Sequence, residues 1–143
     1  MNIIQERKMA IKFNKSFGGR ENYFPTKLKK DRTNDCVIRA IAHATNLDYM
    51  QVFKDLCEIA VKVGHLPNNQ NTYEKYLKKL GWTKNSPLKN NRGRKIRLRD
   101  FKSSGTFIVH TTSHLTCVKD GVLYDSWDCR PWCANSYYTK TGE

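Results

Sequence analysis

The sequence predicts an α+β fold in which helices come first and antiparallel strands come last. Three observations carry this. Apolar residues recur at helical spacing in three successive segments between positions 35 and 81. After Gly105 the pattern shortens to runs rich in β-branched and aromatic residues. Within that last part, Asp120-Gly121 is a dipeptide suited to a two-residue hairpin turn.

The elements follow in order. Positions 1–32 read as a basic N-terminal arm, punctuated by Gly18-Gly19 and Pro25, with one short strand near Ile11 and Phe13. Positions 33–143 read as one globular α+β domain. The first helix covers 35–45, with Val37, Ile38, Ala40, Ile41 and Ala44 on its apolar face and Asn34 or Asp35 as its cap. The second lies in "NLDYMQVFKDLCEIAVKVG", capped by Asp48 and stopped at Gly64. Cys57 in this run reads as a small core residue. The third, "NTYEKYLKKLG", starts with Asn71 and Glu74 in a capping-box pattern and ends at Gly81. Leu98 and Phe101 anchor a short helical turn. "GTFIVHTT" is a strand, and "HLTCVKDGVLYDSWD" is a hairpin. Tyr137 and Tyr138 dock the tail onto the body.

Composition narrows the class. The chain has 143 residues, long enough for one core, and a net charge of +13. No apolar run approaches the ~20 residues of a membrane helix, and the N-terminus has no signal-peptide pattern. Five cysteines, an odd number, suit a reducing compartment. The expectation is a cytoplasmic protein without membrane partners. The positive charge favours anionic partners. It concentrates in 84–102, where eight Lys or Arg stand against Asp100 alone. Arg92, Arg94, Lys95, Arg97 and Arg99 form a candidate anion-binding surface for nucleic acid or an acidic protein. The same segment also reads as a solvated loop.

Cys36 stands where the first helix begins. Backbone N–H groups and the helix dipole favour negative charge there, so a thiol in that position becomes a better nucleophile. Such a thiol needs an imidazole to hold its proton and a third group to orient the ring. His114 opens the hairpin, and the turn at Asp120-Gly121 sets 115–119 against 122–126. His114 and Asp125 then fall near one end of the hairpin. His110, four residues before His114, is the rival base. His43 lies nearly two turns beyond Cys36, His65 follows Gly64 as a loop residue, and Asp128 lies past the strand end. No cofactor is expected, and no metal either. Cys129 and Cys133 form a C-x-x-x-C pair with no further ligands at a convincing spacing. They read as a cross-linked tail or as two free thiols. Trp127 and Trp132 read as packing residues.

A helix-borne cysteine, then a strand histidine, then an Asp on the next strand resembles the chain order of papain-like cysteine peptidases. "NDCVIRAIA" is similar to the start of their nucleophile helix, "SHLTCVKDGVLYDSWD" to their histidine strand and its neighbour. "DSW" at 125–127 is similar to the Asn-Ser-Trp of papain. The compact form resembles small members encoded by tailed phages and bacteria, which implies a host-cytoplasmic or virion location. The resemblance implies N-terminal helices packed on a C-terminal antiparallel sheet. It also implies hydrolysis of a peptide or isopeptide amide in a protein or peptide substrate, with Cys36 as nucleophile, His114 as base and Asp125 as orienting group. Where the family places a Gln before the nucleophile, the residue six before Cys36 is Lys30. Asn34 is then the candidate oxyanion-hole amide. Two other readings stand beside this one. One is a structural or inhibitory phage protein with a silent triad, and the other is a nucleic-acid-associated protein working through its basic segment.

Overall fold

The computed structural model describes residues 10–25 and 34–142. Lys30 and its neighbours in 26–33 lie outside the described residues, as does 1–9. Among the described residues three α-helices, α1 (Cys36–Thr45), α2 (Tyr49–Val63) and α3 (Gln70–Lys79), precede most of the strands. The strands are β1 (Lys12–Lys15), β2 (Trp82–Asn85), β3 (Thr106–Thr111), β4 (His114–Lys119), β5 (Val122–Asp125) and β6 (Ser136–Lys140). The protein is α+β, as the order of periodicities predicts.

The sheet differs from the expected one. It has six strands in the order β1-β5-β4-β3-β6-β2, and it is mixed. β1 pairs parallel with β5, while the other pairings are antiparallel. A strand reaching its neighbour from a remote part of the chain is free to run either way, unlike one joined through a tight turn. The described part of the N-terminal arm is built into this sheet. Ile11 is buried, and backbone bonds from Lys12 to Gly121 (2.8 Å) and from Ser16 to Asp125 (2.8 Å) fasten the strand. Tyr137 and Tyr138, expected in a docked tail, belong to β6 and lie between β3 and β2.

Alternation along the strands builds two cores. On one face Ile108, Leu115, Cys117 and Tyr138 pack beneath the helices, against Ile41, Val52, Leu56 and Leu77. On the other, Val109, Val118, Leu123 and Tyr137 meet Leu98, Phe101 and Cys129 from long connecting segments. Phe101, Phe107 and Tyr137 contact edge to face with centroids 5.1 to 6.0 Å apart. The segment 84–102 is therefore only half a solvated loop. Its Leu98 and Phe101 seal the second core, and its charges face outward. Cys57 is only partly buried.

Local chemistry sets the element ends. Asp48 accepts from the Met50 N–H (3.1 Å), and Gly64 ends α2 at φ 79°. α3 begins two residues earlier than its capping pattern suggests. Asn69, not Asn71, is the cap, and its side chain accepts from the Asn71 N–H at 2.9 Å. Glu74 is then released from capping. It takes the Tyr138 hydroxyl (2.5 Å) and the Lys84 ammonium (3.0 Å), tying α3 to β6 and β2. Asp120 and Gly121 both have positive φ, the conformation of the predicted hairpin turn.

Ile41 is fully buried between α1 and the sheet. Ile41→Ala should cost about 2–5 kcal/mol of unfolding free energy, read as a lower urea midpoint at unchanged slope.

Candidate active site

Cys36 is the first residue of α1, and the helix entry is unusual. Asn34 takes a positive φ of 54°, and Asp35 occupies the cap position without a side-chain capping bond. The Asp35 carboxylate turns inward instead. It binds Arg20 (3.1 Å), the Tyr49 hydroxyl (2.8 Å) and Arg39 one turn along the helix. All four side chains are buried. This network holds the N-terminus of α1 against the described part of the arm. It fixes where Cys36 stands.

The hairpin delivers the other two groups. His114 starts β4 after a turn in which Ser113 has φ 53°, and Asp125 ends β5. The register Cys117↔Tyr124 brings both to the same end. The Nε2 of His114 and Oδ2 of Asp125 are 2.6 Å apart, with both residues buried. Cys36 and His114 line the same cleft, and the imidazole is the partner that lowers the thiol's pKa. Asp125 is saturated. Its Oδ1 accepts from Arg39 Nη2 (3.1 Å) and from the Ser126 N–H (2.7 Å), and its Oδ2 receives Cys129 Sγ at 3.7 Å.

These contacts shift the titrations together. Burial alone would raise the Cys36 pKa. The hydrogen bond to His114, the Leu115 N–H, and the charges of His114 and Arg39 outweigh it and lower the value. Burial would likewise discharge His114, but Asp125 first, then Cys129 and Cys36, hold its pKa well above the ordinary range. Asp125 is lowered against its burial by His114 and Arg39. All three shifts favour a thiolate beside an imidazolium.

The site opens into a cleft of about 420 Å³ lined by Asn34, Tyr73, His110, Ser113 and the loop around Asn68. Asn34 shares this cleft with Cys36. His110, the rival base, lies on β3 opposite Leu115 and lines the same cleft. Burial, then Lys84, lowers its pKa. The turn at 112–113 places it on a different strand from His114. His43 stacks on Tyr124 with centroids 5.3 Å apart, His65 is exposed, and Asp128 pairs with Arg130. A second recess of about 340 Å³ adjoins the cleft. The two share Asn34, Val37, Leu66 and Asn68, and Phe24, Ile38 and Phe53 make the recess mostly apolar.

Three features escape the sequence pattern. Arg39 sits in an apolar helix, where no local pattern singles it out, and it joins Asp35 to Asp125. Cys129 is fully buried beside the carboxylate, whereas Cys133 is exposed, and both are free thiols. Trp127 and Trp132, expected to pack, are 38% and 42% exposed. Trp127 covers His114 with centroids 4.8 Å apart, and Trp132 meets Trp127 edge to face at 5.2 Å.

Among the described residues, His114, Asp125 and Cys129 are the one group of at least three donors close enough to consider for a metal, within 4.8 Å of one another. Two ligands on one tetrahedral zinc stand roughly 3.3 Å apart, given bonds of ~2.0–2.1 Å. The 2.6 Å between His114 and Asp125 fits a shared proton instead. Arg92, Arg94, Lys95, Arg97 and Arg99 are exposed and stand apart from the cleft lining. No protein-family model, curated protein or solved structure matches this chain.

Arg39 supplies the charge that balances Asp125. Arg39→Met should raise the Cys36 pKa and slow iodoacetamide alkylation severalfold at pH 6. Asp125→Asn alone should also slow alkylation, because His114 loses the carboxylate that first holds its imidazolium charge. The thiolate absorbance near 240 nm, followed against pH, reads both.

Proposed function

We propose that the protein is a papain-like cysteine hydrolase that cleaves a peptide or isopeptide amide. The observation that carries the reading is the geometry around His114. One side of its ring hydrogen-bonds a buried carboxylate, and the ring lines the same cleft as a thiol at a helix N-terminus.

The chemistry follows from these positions. The Cys36 thiolate attacks the carbonyl carbon, and a C–S bond forms as the carbonyl electrons move to oxygen. The Cys36 N–H and the Asn34 amide are the donors available to that oxyanion. His114 passes its proton to the amide nitrogen, the C–N bond breaks, and the amine leaves. A water then attacks the thioester, giving a proton to His114, and the C–S bond breaks to release the acid. Asp125 holds the ring orientation and the imidazolium charge throughout. The cleft and its apolar neighbour suit an extended chain with a bulky apolar side chain beside the scissile bond.

One observation favours a second reading, a papain-like frame that no longer hydrolyses. Lys30 stands where the family places its oxyanion Gln. Losing one such donor costs about 10²–10³ in rate.

The test uses pooled fluorogenic peptide amides with varied apolar residues. Wild-type protein should release fluorophore, and both Cys36→Ala and His114→Ala should lose at least about 10³-fold. Undiminished turnover in Cys36→Ala removes the proposal. A reactive Cys36 without turnover on any pool selects the silent frame.

A further inference from the structure

The exposed tryptophans and the arginine strip are one surface. Backbone bonds zip their two segments together, from Leu98 N–H to Trp132 O (2.8 Å), Arg99 N–H to Arg130 O (3.0 Å) and Ala134 N–H to Ile96 O (2.9 Å). A bridge joins Arg97 to Cys133. The Arg97 guanidinium donates to the Pro131 carbonyl at 2.6 Å, which holds that cation next to Trp132 in the chain. Arg94, Lys95, Arg97 and Arg99 are exposed along this edge. Of the nearby acids, Asp128 is occupied by Arg130, and Asp100 stands exposed next to Arg99 in the chain. The platform is rigidly backed, because Leu98, Phe101 and Cys129 of the same segments are fully buried beneath it.

We infer that this surface binds single-stranded nucleic acid, with unpaired bases stacking on Trp127 and Trp132 and phosphates lying along Arg94, Lys95, Arg97 and Arg99. The charges alone would suit any polyanion. The tryptophans decide the class. Two large rings left 38% and 42% exposed have no use for a carboxylate chain, but every unpaired base offers them a π-face. A duplex buries those faces in its own stack. Trp127 also lies over His114, so the surface borders the thiol site, but binding needs no turnover by Cys36 and the two proposals fail separately.

The probe is a 20-nucleotide oligothymidylate, followed by tryptophan fluorescence. Of the three tryptophans Trp82 is buried, so quenching reports Trp127 and Trp132. The oligonucleotide should quench the emission at low salt, and log K should fall linearly with log salt. Trp132→Ala should weaken binding about 5–150-fold, the range for one lost stacking partner. Arg97→Ala/Arg99→Ala should weaken it and flatten the salt slope by about 1.4, from ~0.7 per phosphate contact. The exposed positions make both variants safe for folding, which thermal melting verifies. Three results overturn the inference. The first is no quenching, and the second is binding unchanged by either variant. The third is duplex DNA or polyglutamate binding as tightly as the single strand at equal charge, with polyglutamate transferring the surface to acidic proteins.

Discussion

The arginine–carboxylate–imidazole chain from Arg39 through Asp125 to His114 is the constraint on which the rest depends. It begins on α1, crosses the end of β5 and finishes on β4, so it joins the helical layer to the sheet at one point. Asp125 is 2% exposed and could not remain charged there alone. Four hydrogen bonds replace the water it loses. Breaking a buried pair on one side leaves the other charge stranded, which costs about 3–5 kcal/mol. The geometry of the thiol site is thus fixed by the same contacts that make the buried ions tolerable.

Charge bookkeeping explains why such a cluster suits a thiol. Among the described residues, Arg20 and Arg39 balance Asp35 and Asp125. Moving a proton from Cys36 to His114 adds one negative and one positive charge, so the total stays at zero. The transfer exchanges one neutral arrangement for another and avoids creating a net buried charge. An Asp at position 125 adds a negative charge that an Asn would not, and Arg39 offsets it. The Asp in "DSW" and the Arg in "VIRAIA" are then two halves of one device.

Much of this was legible in the sequence, for a physical reason. The three helices announce themselves through apolar spacing and through Asp48, Gly64 and Gly81 at their ends. The hairpin is set by two residues, Asp120 and Gly121, whose positive φ values are a local property. Cys36, His114 and Asp125 could be paired because helix entry and hairpin register are local too. The short strand near Ile11 and Phe13 was legible but its parallel partner was not, and β2 and β6 were harder. β6 reaches β3 and β2 across long separations, so "SYYTK" reads as a tail until its partners are in place. Asp35 reads as a helix cap and nothing local marks Arg20 or Arg39, because only tertiary packing draws these charges together. Trp127 and Trp132 looked like core for the converse reason. Apolar size gives no sign that Leu98, Phe101 and Cys129 already fill that face.

The most direct measurement is the protonation state of the His114 ring, read from its ¹⁵N chemical shifts across pH 5 to 9. The account predicts an imidazolium with both nitrogens protonated at pH 7, whose titration moves when Cys36 is replaced by Ala. A ring that titrates near the ordinary ~6.5 and ignores that replacement would contradict it, because no thiolate–imidazolium pair would then exist.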